Sequence, residues 1–364
     1  MKNKQNLISA LLLGLVFSCS AIAQERAAAA PITAGDRDAL FQTLDRKLRE
    51  NYVFPDVAER IIKALGAKAA KGAYASADNT KILADMLSHD LREFGDDAHF
   101  RVFSAPDFHE EGPDSVPTAE DMAKERINTA QMGFGIQRVE RLPGNVGYLE
   151  VRGFGPTEFV GPAFSSALSL LSGTDALILD LRRNGGGQPS SVAYLMSHFF
   201  AEGDERHLND LYFRPKNETQ QYWTNSAVVG RYTKPVYVLI SGRTFSGGEE
   251  CAYDFQTQKR ATLVGETTGG GANPGDGFSL GNGLVVFIPT GRAINPITHT
   301  NWEHVGVKPD IAVPAAQAQQ TAYVAILRAL LPKATDPEER ENLKKTLALA
   351  EKGESEPPVY TLRH

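Results

Sequence analysis

The chain has 364 residues, 42% apolar and 23% charged, which suits a soluble α/β protein with room for one large domain and one smaller one. Its formal charge of -6 gives no basic footprint for nucleic acid, and no apolar run after residue 30 approaches the length of a membrane span. Residues 1–23 read as an export signal peptide. Lys2 and Lys4 give a positive start, residues 7–17 an apolar core, and Ala21-Ile22-Ala23 an A-x-A cleavage site before Gln24. Export to a periplasmic or extracellular space follows, with no membrane span left once the signal is removed. Lipid attachment at Cys19 is the weaker alternative, because Phe17 precedes Ser18-Cys19. Cys251 is then the one remaining cysteine; it can form no intramolecular disulfide, and a buried, inert thiol is the expectation.

The next stretch is helical. Residues 36–52 place Leu40, Phe41, Leu44, Leu48 and Tyr52 at spacings of three and four. Residues 57–70 and 78–94 repeat the pattern, the last capped by Ser76 or Asp78. The three helices predict a small N-terminal bundle over 31–95. Gly95 suits the position after a helix end, and His99 stands at the mouth of a strand. Residues 96–130 read as a linker and flap, acidic and proline-bearing from 110 to 125. From 131 to 316 the pattern becomes strand, turn, helix. The buried parallel-type strands are 176–181 and 236–240, with a third short strand at 261–264 and a polar and aromatic hairpin over 206–226. Helices and a tail occupy 317–364.

Two turns of this core carry chemistry. The strand at 236–240 empties into Thr244-Phe245-Ser246-Gly247-Gly248-Glu249 and a helix. Ser246 there is either an N-cap or a nucleophile held beside the free N–H groups of a helix start. The strand at 176–181 empties into Asn184-Gly185-Gly186-Gly187. That run is a tight turn, a phosphate cradle, or an oxyanion donor; the phosphate reading lacks a following Lys-Ser or Lys-Thr. A serine nucleophile needs N–H donors and a base. Gly186 and Gly247 are the candidate donors, with Gly185 as substitute. His99, His299 and His304 are the candidate bases, and residue physics does not choose among them. If the two strands are neighbours, both turns open on one side of the sheet.

The segments Asp180-Leu181-Arg182-Arg183-Asn184-Gly185-Gly186-Gly187, 244–249, Val264-Gly265-Glu266-Thr267-Thr268-Gly269 and Val305-Gly306-Val307-Lys308-Pro309-Asp310 occur in order. Together they resemble the C-terminal processing (tail-specific) peptidase family, over roughly residues 35 to 330. The resemblance implies an α/β fold, a crotonase/ClpP-like ββα superhelix core with a small N-terminal helical bundle. The Ser–Lys branch of the family carries its lysine where this chain has Gly269-Gly270-Gly271-Ala272-Asn273, and Lys259 lies elsewhere. The chain therefore resembles the branch of the tricorn protease core and interphotoreceptor retinoid-binding protein. That branch implies Ser246, His99 and Glu303 as catalytic residues, in Asp97-Ala98-His99 and Asn301-Trp302-Glu303. Tricorn has a serine where this chain has Ala98. No PDZ-like segment is evident. The implied function is an exported serine peptidase acting on a peptide or unfolded protein, without metal or organic cofactor. The alternative is a binder of peptides or apolar ligands that has lost hydrolysis.

Overall fold

The computed structural model describes residues 30–110 and 117–354. The signal peptide expected over 1–23, with Cys19, lies outside them, as do residues 111–116 of the expected flap. Three helices come first: α1 (Ala34–Asn51), α2 (Pro55–Ala70) and α3 (Thr80–Gly95). They close on Leu40, Leu44, Leu48, Ile61, Leu65 and Leu87, the periodic positions of each helix. The cap of α3 is Asn79 rather than Ser76 or Asp78; its Oδ1 accepts the Ile82 N–H at 3.0 Å. Gly95 is the last helical residue, and Asp96 takes the left-handed cap conformation at φ 50°. The glycine is needed for a different reason: a Cβ on it would stand 2.7 Å from Cε2 of Phe100.

Strand β1 (Arg101–Ser104) and helix α4 (Ala119–Gln131) follow. The acidic stretch read as an exposed linker or flap thus contains a helix. Thr118 and Asp121 form a capping box, and Glu120 and Asp121 lie in the first turn, where carboxylates favour a helix dipole. The charges that suggested solvent exposure are partly helix-start signals.

The rest of the chain runs through β2 (Ile136–Leu142), β3 (Val146–Val151), α5 (Thr157–Leu171), β4 (Ala176–Asp180), α6 (Pro189–Ser197), β5 (His207–Phe213) and β6 (Glu218–Trp223). It continues through β7 (Val236–Ile240), α7 (Gly247–Thr257), β8 (Thr262–Gly265), β9 (Gly275–Gly281), β10 (Leu284–Pro289), β11 (Gly291–Ile294) and β12 (Ile311–Ala312), and ends in α8 (Ala315–Leu330) and α9 (Pro337–Glu351). Strand β9 lies inside the glycine-rich stretch that carried no strand signal.

The central sheet has the order β12-β8-β7-β4-β3-β2, parallel except for β2. Side chains alternate between its faces. Leu177, Leu179, Val238 and Ile240 face α5, α6 and α7, where they meet Phe164, Leu195 and Phe255. Ile178, Leu239 and Val264 face Ala318, Ala322 and Ile326 of α8. Both faces are covered, which explains why β4 is buried along its whole length. The neighbours β4 and β7 run parallel with Leu177 opposite Val236, so the turns after them open at the same end of the sheet.

Two three-stranded sheets complete the frame. Strands β5 and β6 form the expected hairpin, extended by β11. Strand β1 pairs antiparallel with β10, Val102 opposite Val286, which joins the helical bundle to the core. Leu280, Leu284, Val286 and Ile288 share one apolar cluster with the bundle helices. Phe100 is fully buried in it, its ring tilted against Tyr52 with centroids 4.8 Å apart. Phe100→Ala should cost about 3–5 kcal/mol through the cavity it leaves, read as a lowered thermal midpoint by circular dichroism; an unchanged midpoint would mean that the bundle is not anchored by this ring.

Candidate active site

A cavity of about 900 Å³ lies where the two turns, the β5–β6 hairpin and the start of β1 converge. Ser246 and His99 both line it, together with Gly185, Gly187, Gly247 and Phe245. Ser246 is the N-cap of α7 with φ 53° and ψ -123°, a conformation that L residues seldom adopt and that costs of order 1–3 kcal/mol. The surrounding contacts hold it. Thr244 donates its hydroxyl to the Leu181 carbonyl at 2.8 Å, Ser241 donates to the Arg182 carbonyl at 2.6 Å, and the Phe245 N–H donates to the Asn184 carbonyl at 3.0 Å. The turn after β7 is therefore stitched to the turn after β4.

The glycines of the two turns are in close contact. A Cβ on Gly186 would sit 2.8 Å from Cβ of Ser246 and 2.9 Å from the Gly247 nitrogen. One on Gly248 would sit 2.6 Å from Oδ1 of Asn184. The N–H groups are used unequally. Gly185 donates to the Arg152 carbonyl at 3.2 Å and Gly186 to Oδ1 of Asn184 at 2.9 Å. Among the described residues, the N–H groups of Gly187 and Gly247 have no acceptor.

The strongest clamp on the site is Glu249, fully buried in the first turn of α7. Its Oε1 accepts the Thr268 hydroxyl at 2.5 Å and the Gly270 N–H at 2.6 Å. Its Oε2 accepts the N–H groups of Gly271 and Ser246, each at 2.9 Å. Burial raises its pKa and these four donors pull it back. The segment 269–273 is held from three further sides. Trp302 donates its ring N–H to the Gly271 carbonyl at 2.7 Å, the Ala272 N–H donates to Oε2 of Glu303 at 2.5 Å, and Asn273 donates to Oδ2 of Asp97 at 2.9 Å.

His99 enters from the bundle side. Its backbone N–H donates to Oδ1 of Asp97 at 3.0 Å, and its Nδ1 lies 3.6 Å from the same oxygen. The imidazole is almost buried, with the Phe245 ring at 4.7 Å and no hydrogen bond on either ring nitrogen. Glu303 is set behind Ala272 rather than on the cavity wall. Its Oε1 is buried without a hydrogen bond. Burial first, and then the charge of Asp97, pushes its pKa up to about 7, while the Ala272 N–H and His99 oppose the rise. His304 is half exposed, 3.6 Å from Asp96 and 3.9 Å from Glu303. His299 and Lys259 are exposed and do not line the cavity. Cys251 is fully buried with its thiol pushed up, as expected for an inert core residue. Sequence reasoning missed Glu249 as the clamp and treated Asp97 only as context for His99.

Glu249→Ala should strand four donors, each buried donor costing about 1–3 kcal/mol. The amides of Gly270 and Gly271 should then exchange hydrogen faster than in the parent; unchanged exchange would remove the clamp. For Glu303 the sign follows from a folded pKa near 7 against 4.5 for the free group. Between those values the folded state holds the extra proton, so this group's contribution falls as pH rises. Glu303→Gln should therefore lose less thermal stability than the parent between pH 5 and pH 8, measured by calorimetry; an equal loss would rule out the raised carboxyl.

Residues 145–313 match the family described as peptidase family S41, and residues 26–133 match the N-terminal domain of peptidase S41 in eukaryotic IRBP. The carboxyl-terminal-processing peptidase 2 of Arabidopsis thaliana, chloroplastic, is 27% identical over 191 residues, covering 49% of this chain and 35% of that protein. The chain thus aligns with about a third of that relative's length. Among solved structures, a protein from Parabacteroides merdae shares the fold with TM-score 0.57 at 18% identity, over 83% of this chain and 99% of its own. The tricorn protease does so with TM-score 0.52 at 14% identity, over 82% of this chain and 37% of its own. The mixed α/β core with its N-terminal helical region is common to these structures. With the two matches together spanning residues 26–133 and 145–313, the chain belongs to peptidase family S41.

Proposed function

We propose that the protein is an exported serine peptidase that cuts peptides or unfolded protein segments through an acyl-enzyme on Ser246. One observation carries the reading: Ser246 sits in a strained turn at a helix start, on the same cavity as His99, with the unpaired Gly247 N–H beside it. Family membership and the carboxyl-terminal-processing relatives agree with it. Export rests on the leader pattern at 1–23.

In this reading Ser246 Oγ attacks the scissile carbonyl while His99 takes its proton. The oxyanion is received by the Gly247 N–H and by one N–H of the facing glycine turn. Hydrogen bonding favours Gly187 for that second donor over Gly186 or Gly185, whose N–H groups are occupied. The tetrahedral adduct expels the amine, which collects the proton from His99. Water then attacks the ester by the same route in reverse. The imidazolium formed in each step faces two carboxyl groups. Asp97 is the nearer, at 3.6 Å, and would orient the ring through Nδ1. Glu303 stabilises the positive charge at longer range, since His99 is among the groups that lower its pKa. His99 makes no hydrogen bond to Ser246 in the free protein, so substrate binding must bring the ring around, as catalytic contacts commonly tighten on binding.

A serine-reactive fluorophosphonate should label the parent and not Ser246→Ala, measured by intact-protein mass spectrometry. His99→Ala should lower kcat/KM by about 10²–10⁴-fold at unchanged fold. Equal labelling of parent and Ser246→Ala would eliminate Ser246 as nucleophile and favour a peptide- or apolar-ligand-binding role.

A further inference from the structure

One turn along α7 from Ser246, the helix presents a second polar group to the same cavity. Glu250 lines it, as do Leu211, Tyr222, Ala293 and Trp302; burial, and then the nearby Glu250 charge, raise the pKa of Tyr222. Four residues of helix place Glu250 about 6 Å along the axis from Ser246. Behind it lies Asp254, on the same face of the helix and 1% exposed. Neither oxygen of Asp254 has a hydrogen-bond partner. Asn209 of β5 is fully buried with its side chain close enough to Glu250 to favour the ionised carboxyl, although neither its amide nitrogen nor its oxygen reaches full hydrogen-bond geometry. Among the described residues no lysine, arginine or histidine pairs with Glu250 or Asp254.

Such a group is out of balance. Two carboxyl groups and an amide oxygen offer acceptors; of the nearby donors, the Tyr222 hydroxyl is spent on Gln220 and the Asn209 amide is left. Two other buried carboxylates are saturated, Glu249 by four donors and Asp180 by Arg182 and Tyr148; Glu303 keeps one buried oxygen unbonded but stands off the cavity wall. The Glu250 group differs in opening onto the cavity. The missing component is a multi-donor cation, which can enter only from the cleft. The cavity lining is mixed; its apolar members Leu211, Phe213, Tyr222 and Trp302 offer contact for the methylene stem of a lysine or arginine side chain, while Arg92 and Arg101 also line the cavity.

We propose that Glu250, backed by Asp254 and Asn209, is a specificity residue that binds the lysine or arginine side chain next to the scissile bond. Glu250 receives the cationic head directly. Burial and the neighbouring Glu250 raise the pKa of Asp254, deeper by one turn, so its negative charge develops beside a bound cation without touching the substrate, and Asn209 positions Glu250. This assignment rests on the reading of Ser246 as the nucleophile, which sets the distance from the scissile bond to the pocket.

The test compares fluorogenic peptides identical except for one residue before the cleaved bond, lysine or its uncharged analogue norleucine. The parent should prefer lysine by about thirtyfold or more in kcat/KM, as expected for a desolvated charge pair. Glu250→Gln, which keeps the shape, should bring that ratio to within about threefold of unity, and Asp254→Asn should reduce it part of the way. A parent without lysine preference, or a preference that survives Glu250→Gln, overturns the proposal. A second arm needs no turnover: binding of the same peptides to Ser246→Ala, followed by fluorescence anisotropy. If the parent cleaves neither peptide yet Ser246→Ala binds the lysine peptide more tightly, and Glu250→Gln erases the difference, the peptidase reading fails while the pocket stands. Equal binding of the two peptides removes the pocket.

Discussion

The site depends on one buried carboxylate. Glu249 gathers donors from the Ser246 turn and from the segment that follows β8, and joins them at a point no solvent reaches. A backbone at φ 53° would relax if its neighbours allowed it; here the N–H of Ser246 is bonded to the same group that fixes Gly270 and Gly271. The strain is therefore borne by a network rather than by the turn alone. Because the network is anionic and buried, every donor it gathers also lowers the cost of keeping it ionised.

The segment 269–273 is where these constraints meet. It is held by Glu249 from the helix, Trp302 and Glu303 from the late loop, and Asp97 from the bundle. In the Ser–Lys arrangement a lysine in this stretch would be the base. This chain puts small residues there instead. A Cβ on Gly271 would lie 2.7 Å from Cε1 of His99 and 2.3 Å from the Phe245 ring. The space a longer side chain would need is taken by an imidazole delivered from the far end of the chain.

Much of the frame was legible because it follows from periodicity. Leu40, Leu44 and Leu48 are a helical stripe, and the run at 176–180 cannot be half-exposed. The turn at Ser246 could be read as a special place because a polar, glycine-flanked stretch interrupts a buried strand and a helix. Other features turn on three-dimensional facts. A glutamate three residues into a helix looks like a partner for the dipole, so nothing marks Glu249 as a clamp on a loop twenty residues on. Which glycine of 185–187 has an idle N–H depends on how each peptide plane faces, and that is set by Asn184 and Arg152. Glu303 was placed by resemblance alone. Strand β9 escaped notice because its glycines carry no apolar alternation; its pairing comes from β10.

The pairing of β1 with β10 has a consequence for synthesis. The imidazole at 99 is made early, and the strand that holds its neighbourhood in place, 284–289, is made late. Closing so long a loop is slow and costs chain entropy. While the ribosome is still working, the emerging polypeptide can hold a hydroxyl and an imidazole that have not yet met. The cavity that brings these two groups together is incomplete by topology until residues 284–289 have emerged.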